Sequence, residues 1–144
     1  MDVEAISAML REDRAQWEAL TAVLDANPEG SLHDPISPRW NSRDVYAHLS
    51  RWIERSTSEL EARLEGGTLQ PLDGTDDEIN ARWQREDSGL SLGEARERAQ
   101  QAFERRLRAI EAVPADRWDE MLEAIARADG AEHYAGHRSY ISVT

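Results

Sequence analysis

The stretch NSRDVYAHLSRWIERSTSELEARL, residues 41–64, decides how the rest of the chain is read. Val45, Leu49, Trp52, Ile53, Leu60 and Leu64 recur at spacings of three, four and seven, the period of an amphipathic helix. Asn41 is placed to cap it, Asp44 stands at the third helical position, and Trp40 and Val45 are spaced to staple across the turn. Gly66-Gly67 ends it. His48 lies inside the apolar stripe, between Val45 and Trp52, so an ionisable ring points at the core. A lone histidine in such a place is ordinarily a hydrogen-bonded structural residue. Whether this one is more depends on its partners.

Working outward, the same period returns. Over residues 2–27, Val3, Ile6, Leu10, Trp17, Leu20 and Leu24 outline a first helix, broken by the Pro- and Gly-rich segment NPEGSLHDPISPRW at 27–40. Residues 66–90 form a long connection with a short helix from Thr75 to about Arg85, where Thr75 and Glu78 have capping-box spacing. Ser91 and Glu94 open a third main helix to about Ala112, and Pro114 stops it. A last helix is expected from about 116–119 to about Ile141. With no strand-like alternation, the chain reads as all-α: four main helices in one domain, residues 1–144.

In the last helix the inward stripe is Leu122, Ile125, Ala126, Asp129, His133, His137 and Ile141. Three of the chain's four histidines therefore share core-facing stripes, and His33 is left as a surface residue of the first loop. Height along the bundle gives a second constraint. At about 1.5 Å per residue, His48 near the start of its helix meets His137 near the end of the last only if those two helices are antiparallel. The short turn at 113–116 makes the third and last helices antiparallel neighbours. The second and third must then be parallel, joined by a crossover that residues 66–90 are long enough to make. The expected topology is up-down-down-up.

Two imidazoles four residues apart on one helix, with a third from a facing helix, are the donor set of a metal site that keeps a position open. Nitrogen donors suit zinc, nickel, iron or copper. Asp129, one turn before His133, is an acceptor for a ligand histidine, a further ligand, or a solvated residue beside Gly130.

Composition narrows the partners. Of 144 residues, 29 are Asp or Glu and 17 are basic, giving a net charge of -12 that opposes nucleic-acid binding. All the basic residues are Arg, which reads as base composition of the gene. There is no Cys, hence no thiol nucleophile of the protein's own. MDVEAISAMLRED at the N-terminus is acidic early and argues against a signal peptide, and no stretch approaches the roughly 20 apolar residues of a membrane span. A cytoplasmic protein without membrane or nucleic-acid partners is expected.

RWNSRDVYAHLSRW (39–52), followed by EHYAGHRSYI (132–141), resembles the DinB and YfiT-like four-helix bundles. With DDEINARW (76–83) in the crossover, it is most similar to the branch of colibactin self-resistance proteins, the ClbS/DfsB group. The resemblance implies an up-down-down-up bundle, with His48, His133 and His137 as ligands to a divalent metal, nickel or zinc. It also implies a homodimer. Gly136 stands where relatives often carry an acid, so no acid–base role is carried to that position.

Two chemistries follow from the resemblance, both on a small electrophilic substrate. One is thiol-dependent transfer or isomerisation, in which a low-molecular-weight thiol is activated in the metal's field. The other is hydrolysis by a metal-activated hydroxide. The non-catalytic alternative is a stress-resistance bundle that sequesters a small molecule around a structural metal.

The remaining aromatic residues divide by periodicity. Trp17, Trp40 and Trp52 read as core or staple. Trp83 and Trp118 are expected at the pocket mouth or a dimer face, and Tyr134 and Tyr140 are the tyrosines that flank the site closely enough to be donors to a bound ligand, although ordinary packing is the commoner role. GEARERAQQAFERRLRAIEA (93–112) reads as a solvated face with helical ion pairs.

Overall fold

The computed structural model describes residues 1–28 and 40–139. They form an all-α helical bundle with no strand among the described residues: α1 (Val3–Ala26), α2 (Ser42–Leu64), α3 (Asp76–Glu86), α4 (Leu92–Glu111), α5 (Glu120–Arg127) and α6 (Ala131–Ser139). A single 3-10 turn, Ala115–Arg117, joins α4 to α5. The expectations for His33, Tyr140 and Ile141 fall outside the described residues.

Local chemistry accounts for most helix ends. Asn41 and Asp44, Thr75 and Glu78, and Ser91 and Glu94 each form a reciprocal capping box, at the starts of α2, α3 and α4. Each satisfies two otherwise orphaned amides, an effect of about 1 kcal/mol per cap. At the end of α2, Gly66 has a φ of +84°. This left-handed turn lets Gly67 N donate to Ala62 O at 2.9 Å and Gly66 N to Arg63 O at 3.1 Å, a Schellman closure. Buried Ser42 ties α2 to α1, its hydroxyl donating to the carbonyls of Leu24 and Asn27, both at 2.9 Å.

Helix α2 packs most extensively on α4, and also touches α3 and α5, while α1 packs chiefly on α6. The larger apolar cluster gathers Trp17, Leu20, Leu49, Ile53, Phe103 and Tyr134 among others, with Trp17 stacked on Phe103 at 4.6 Å. A smaller one holds Met9, Leu60, Ile110, Val113, Leu122 and Ala126. Along α1 and α4, Asp13 and Arg106 fall between these clusters, both about 2% exposed, with Arg106 Nη2 2.8 Å from Asp13 Oδ2.

Three expectations need correction here. The 93–112 segment is not simply a solvated face: Ala95, Ala99, Ala102, Phe103, Arg106, Leu107 and Ile110 are buried. Val3, placed on the α1 stripe, is 69% exposed, while Met1 and Ile6 on either side of it pack on the smaller apolar cluster. The last helix is not continuous. Ala128 is extended and Asp129 has a φ of +57°, so the chain breaks between α5 and α6.

The cause of that break lies far away in sequence. Arg106 Nη1 donates to Ala128 O at 2.8 Å, and Nη2 donates to Ala126 O, taking up carbonyls at the end of α5. Asp13 Oδ1 accepts from Ala131 N at 2.9 Å, taking up an amide at the start of α6. One buried ion pair thus caps both helices at the break. Gly130 is required by proximity: a Cβ there would stand 2.5 Å from Arg106 Nη2 and 2.9 Å from Asp13 Oδ1.

Candidate metal centre

His48 comes from the second turn of α2, and His133 and His137 from successive turns of α6. The structure brings all three together. His48 Nε2 lies 3.4 Å from His133 Nε2, and His137 Nε2 lies 2.8 Å from the same atom. One donor nitrogen from each ring can be chosen so that all lie within 4.8 Å of one another, a group that could hold a metal ion. Three nitrogens on a tetrahedral ion with bonds of about 2.0–2.1 Å stand about 3.3 Å apart. The first separation matches. The second is a hydrogen-bond distance and opens to that value by a small ring movement. The donor set therefore fits a divalent ion with open coordination.

The electrostatics favour the ligand form of the rings. Burial, reinforced by the neighbouring His137 and His133, holds the His48 imidazole well below its usual range. Burial and then His133 push His137 down to about 3, against the opposing pull of Asp129. Neutral imidazole is the form that binds a metal.

Asp129 lies beside His133, as its four-residue spacing suggested. Its Oδ1 stands 3.1 Å from His133 Nδ1, close enough for a hydrogen bond but out of line for one, so that this buried nitrogen has no formed partner. Its Oδ2 accepts from Ser56 Oγ. His48 Nδ1 is buried without any partner.

A cleft of about 370 Å³ opens at two of the three histidines, lined by His48, Trp52, Asp76, Asn80, Asp129 and His133. Trp52, expected in the core, is only half-buried and forms part of the cleft wall. Its Nε1 donates to Asn80 Oδ1 at 2.6 Å, and its ring meets Trp83 edge-on at 4.8 Å. Helix α3 thereby walls the cleft, with Trp83 packed on Trp52 but not itself among the lining residues. Trp40 packs against the other side of His48, with ring centroids 4.8 Å apart.

One aromatic assignment is overturned and another is narrowed. Tyr134 is fully buried against Trp17 and Phe103 and does not line the cleft. Being one residue after His133, it is turned about 100° around the helix from it. Of the two places expected for Trp118, the pocket mouth is excluded: it packs on the smaller apolar cluster and is absent from the cleft lining. Conversely, sequence reading passed over Ser56, Asn80, Asp13 and Arg106. The last two carried a signal: each interrupts an apolar stripe, Asp13 between Met9 and Trp17, and Arg106 between Phe103 and Ile110.

No family profile, curated protein or solved structure matches the chain. No described helix is long and apolar enough to cross a membrane.

Proposed function

We propose that this chain is a metal-dependent protein of the DinB/YfiT-like kind, nearest the ClbS/DfsB branch, with the up-down-down-up topology expected of that fold. In this reading His48, His133 and His137 hold one divalent ion, zinc or nickel, and the protein is a cytoplasmic homodimer that acts on a small electrophile. The observation that carries it is the convergence of three imidazoles from two helices, two of which, His48 and His133, line an open cleft. Bound there, a divalent ion supplies Lewis acidity that lowers the pKa of a thiol or water reaching its open position.

The chain's own residues supply the rest. Burial keeps His48 and His137 neutral and available as donors. Trp52, Asn80 and Asp76 shape a space of about 370 Å³, within the range of small-molecule sites. With no cysteine in the sequence, a thiol has to come from outside as a low-molecular-weight cosubstrate.

Non-catalytic sequestration around a structural metal is the second reading, and one observation favours it. Among the described residues, the carboxylate that stands against a triad imidazole is Asp129, and its Oδ2 is already engaged by Ser56. That carboxylate is therefore not free to serve as a general base on a ligand at the triad.

Elemental analysis of untagged protein tests the shared premise. About one divalent ion per chain is expected, and protein that is metal-free and refuses added zinc and nickel overturns both readings. Loaded protein that consumes thiol and electrophile is an enzyme. Stoichiometric binding without product makes it a sequestering protein.

A further inference from the structure

We infer that Ser56 and Asp129 are positioning residues for His133, and that through them α2 sets the spacing of the whole triad. The inference rests on the metal-site reading above. Ser56 lies two turns after His48 on the same face of α2. Its hydroxyl donates to Asp129 Oδ2, and Asp129 Oδ1 faces His133 Nδ1 at 3.1 Å. A carboxylate beside Nδ1 selects the tautomer with the proton on that nitrogen, which leaves the Nε2 lone pair free. Nε2 is the atom that stands 3.4 Å from His48 Nε2 and 2.8 Å from His137 Nε2. A modest rotation of the ring aligns the bond to Asp129 and opens the shorter of those distances.

Backbone conformation gives independent support. Asp129 is the only non-glycine residue at positive φ among the described residues. Glycine suits that conformation better, since it has no Cβ to clash. A side chain kept at a strained position is held there by what it touches. Asp129 touches Ser56 and His133.

This separates positioning from mere turn formation. If Asp129 serves only the break between α5 and α6, Asp129→Gly relieves the backbone and leaves metal binding unchanged. If it positions His133, Asp129→Gly keeps or raises the Tm of the metal-free protein while weakening zinc binding about 10–100-fold. Ser56→Ala, which leaves the carboxylate but frees it to turn, weakens zinc binding less.

The experiment is zinc titration against a competing chelator, alongside thermal melts and ¹⁵N NMR of the histidine side chains in metal-free protein. The expected spectrum shows His133 protonated on Nδ1 in the wild type and as a tautomer mixture in Asp129→Gly. A folded Asp129→Gly with wild-type zinc affinity overturns the inference, as does a wild-type His133 protonated on Nε2. If Asp129→Gly is too unstable to titrate, the tautomer of the wild type and the zinc affinity of Ser56→Ala decide. Wild-type protein that binds no zinc or nickel refutes the metal reading, whereas the tautomer is set without metal and reports on the positioning alone.

Discussion

The triad is delivered by two unlike pieces of chain. Helix α2 is a single run of 23 residues with a capping box at one end and a Schellman closure at the other. The segment that brings His133 and His137 is two helices, of 8 residues and, among the described residues, 9, separated by a left-handed Asp129. Helices this short are not stable on local interactions alone. What α2 obtains from its own sequence at both ends, α5 obtains only at its start, from Asp119, and the junction of α5 with α6 is held by Asp13 and Arg106, which lie on α1 and α4. The two-histidine half of the site is thus a tertiary product, while His48 sits on a helix defined from within.

The strongest way to break that contrast is to remove the ion pair. Arg106→Met leaves Asp13 buried without its partner, and it strips Ala126 O and Ala128 O of their donors. Loss of one member of a buried pair costs about 3–5 kcal/mol, measurable as a lower urea midpoint. Hydrogen exchange should show protection lost first over 131–139 and kept over 45–60. Equal loss in both segments would mean that α2 leans on the pair as heavily as α6 does.

A finer test compares two glycines. At Gly130 backbone angles are ordinary but space is absent, so Gly130→Ala forces Arg106 and Asp13 apart. Overpacking of this kind costs about 1–3 kcal/mol. At Gly66 space is free, with nothing within 4 Å of an added Cβ, but φ is +84°. The cost of Gly66→Ala is the left-handed strain alone, about 1 kcal/mol. Thermal melts should therefore rank Gly130→Ala below Gly66→Ala, and only the former should weaken zinc binding. The reverse order would place the sensitive joint at the end of α2.

The same contrast explains what could be read from the sequence. The starts of α2, α3 and α4 were legible because a capping box is spelled in four consecutive residues. The placement of His48, His133 and His137 was legible because side-chain direction follows helical period. The break at 128–130 was not, since Arg127-Ala-Asp-Gly-Ala carries no proline and its cause lies on other helices. Asp129 nevertheless meets His133, as the four-residue spacing suggested, although by a left-handed turn and not along one helix. Tyr134 was misplaced by reading nearness in sequence as nearness in space. Ser56 was invisible because its role exists only once Asp129 is delivered to it.

The smallest expected change in stability comes from the triad itself. His48→Leu fills an apolar stripe of α2 with an apolar side chain and removes a buried Nδ1 that has no partner. Replacing an unsatisfied polar group by an apolar one of similar size is close to neutral, so metal-free variant and wild type should unfold within about 1 kcal/mol of each other. The difference should appear only on adding metal. Zinc at a hundredfold excess over its dissociation constant stabilises a one-site protein by about 2.7 kcal/mol, and wild type should show that rise in Tm. His48→Leu, left with the pair on α6, should show little of it at the same zinc concentration. A variant that gains as much as wild type would mean that α2 contributes shape to this site and not a ligand. A metal-free variant that unfolds several kcal/mol more easily would mean that His48 is a structural residue after all.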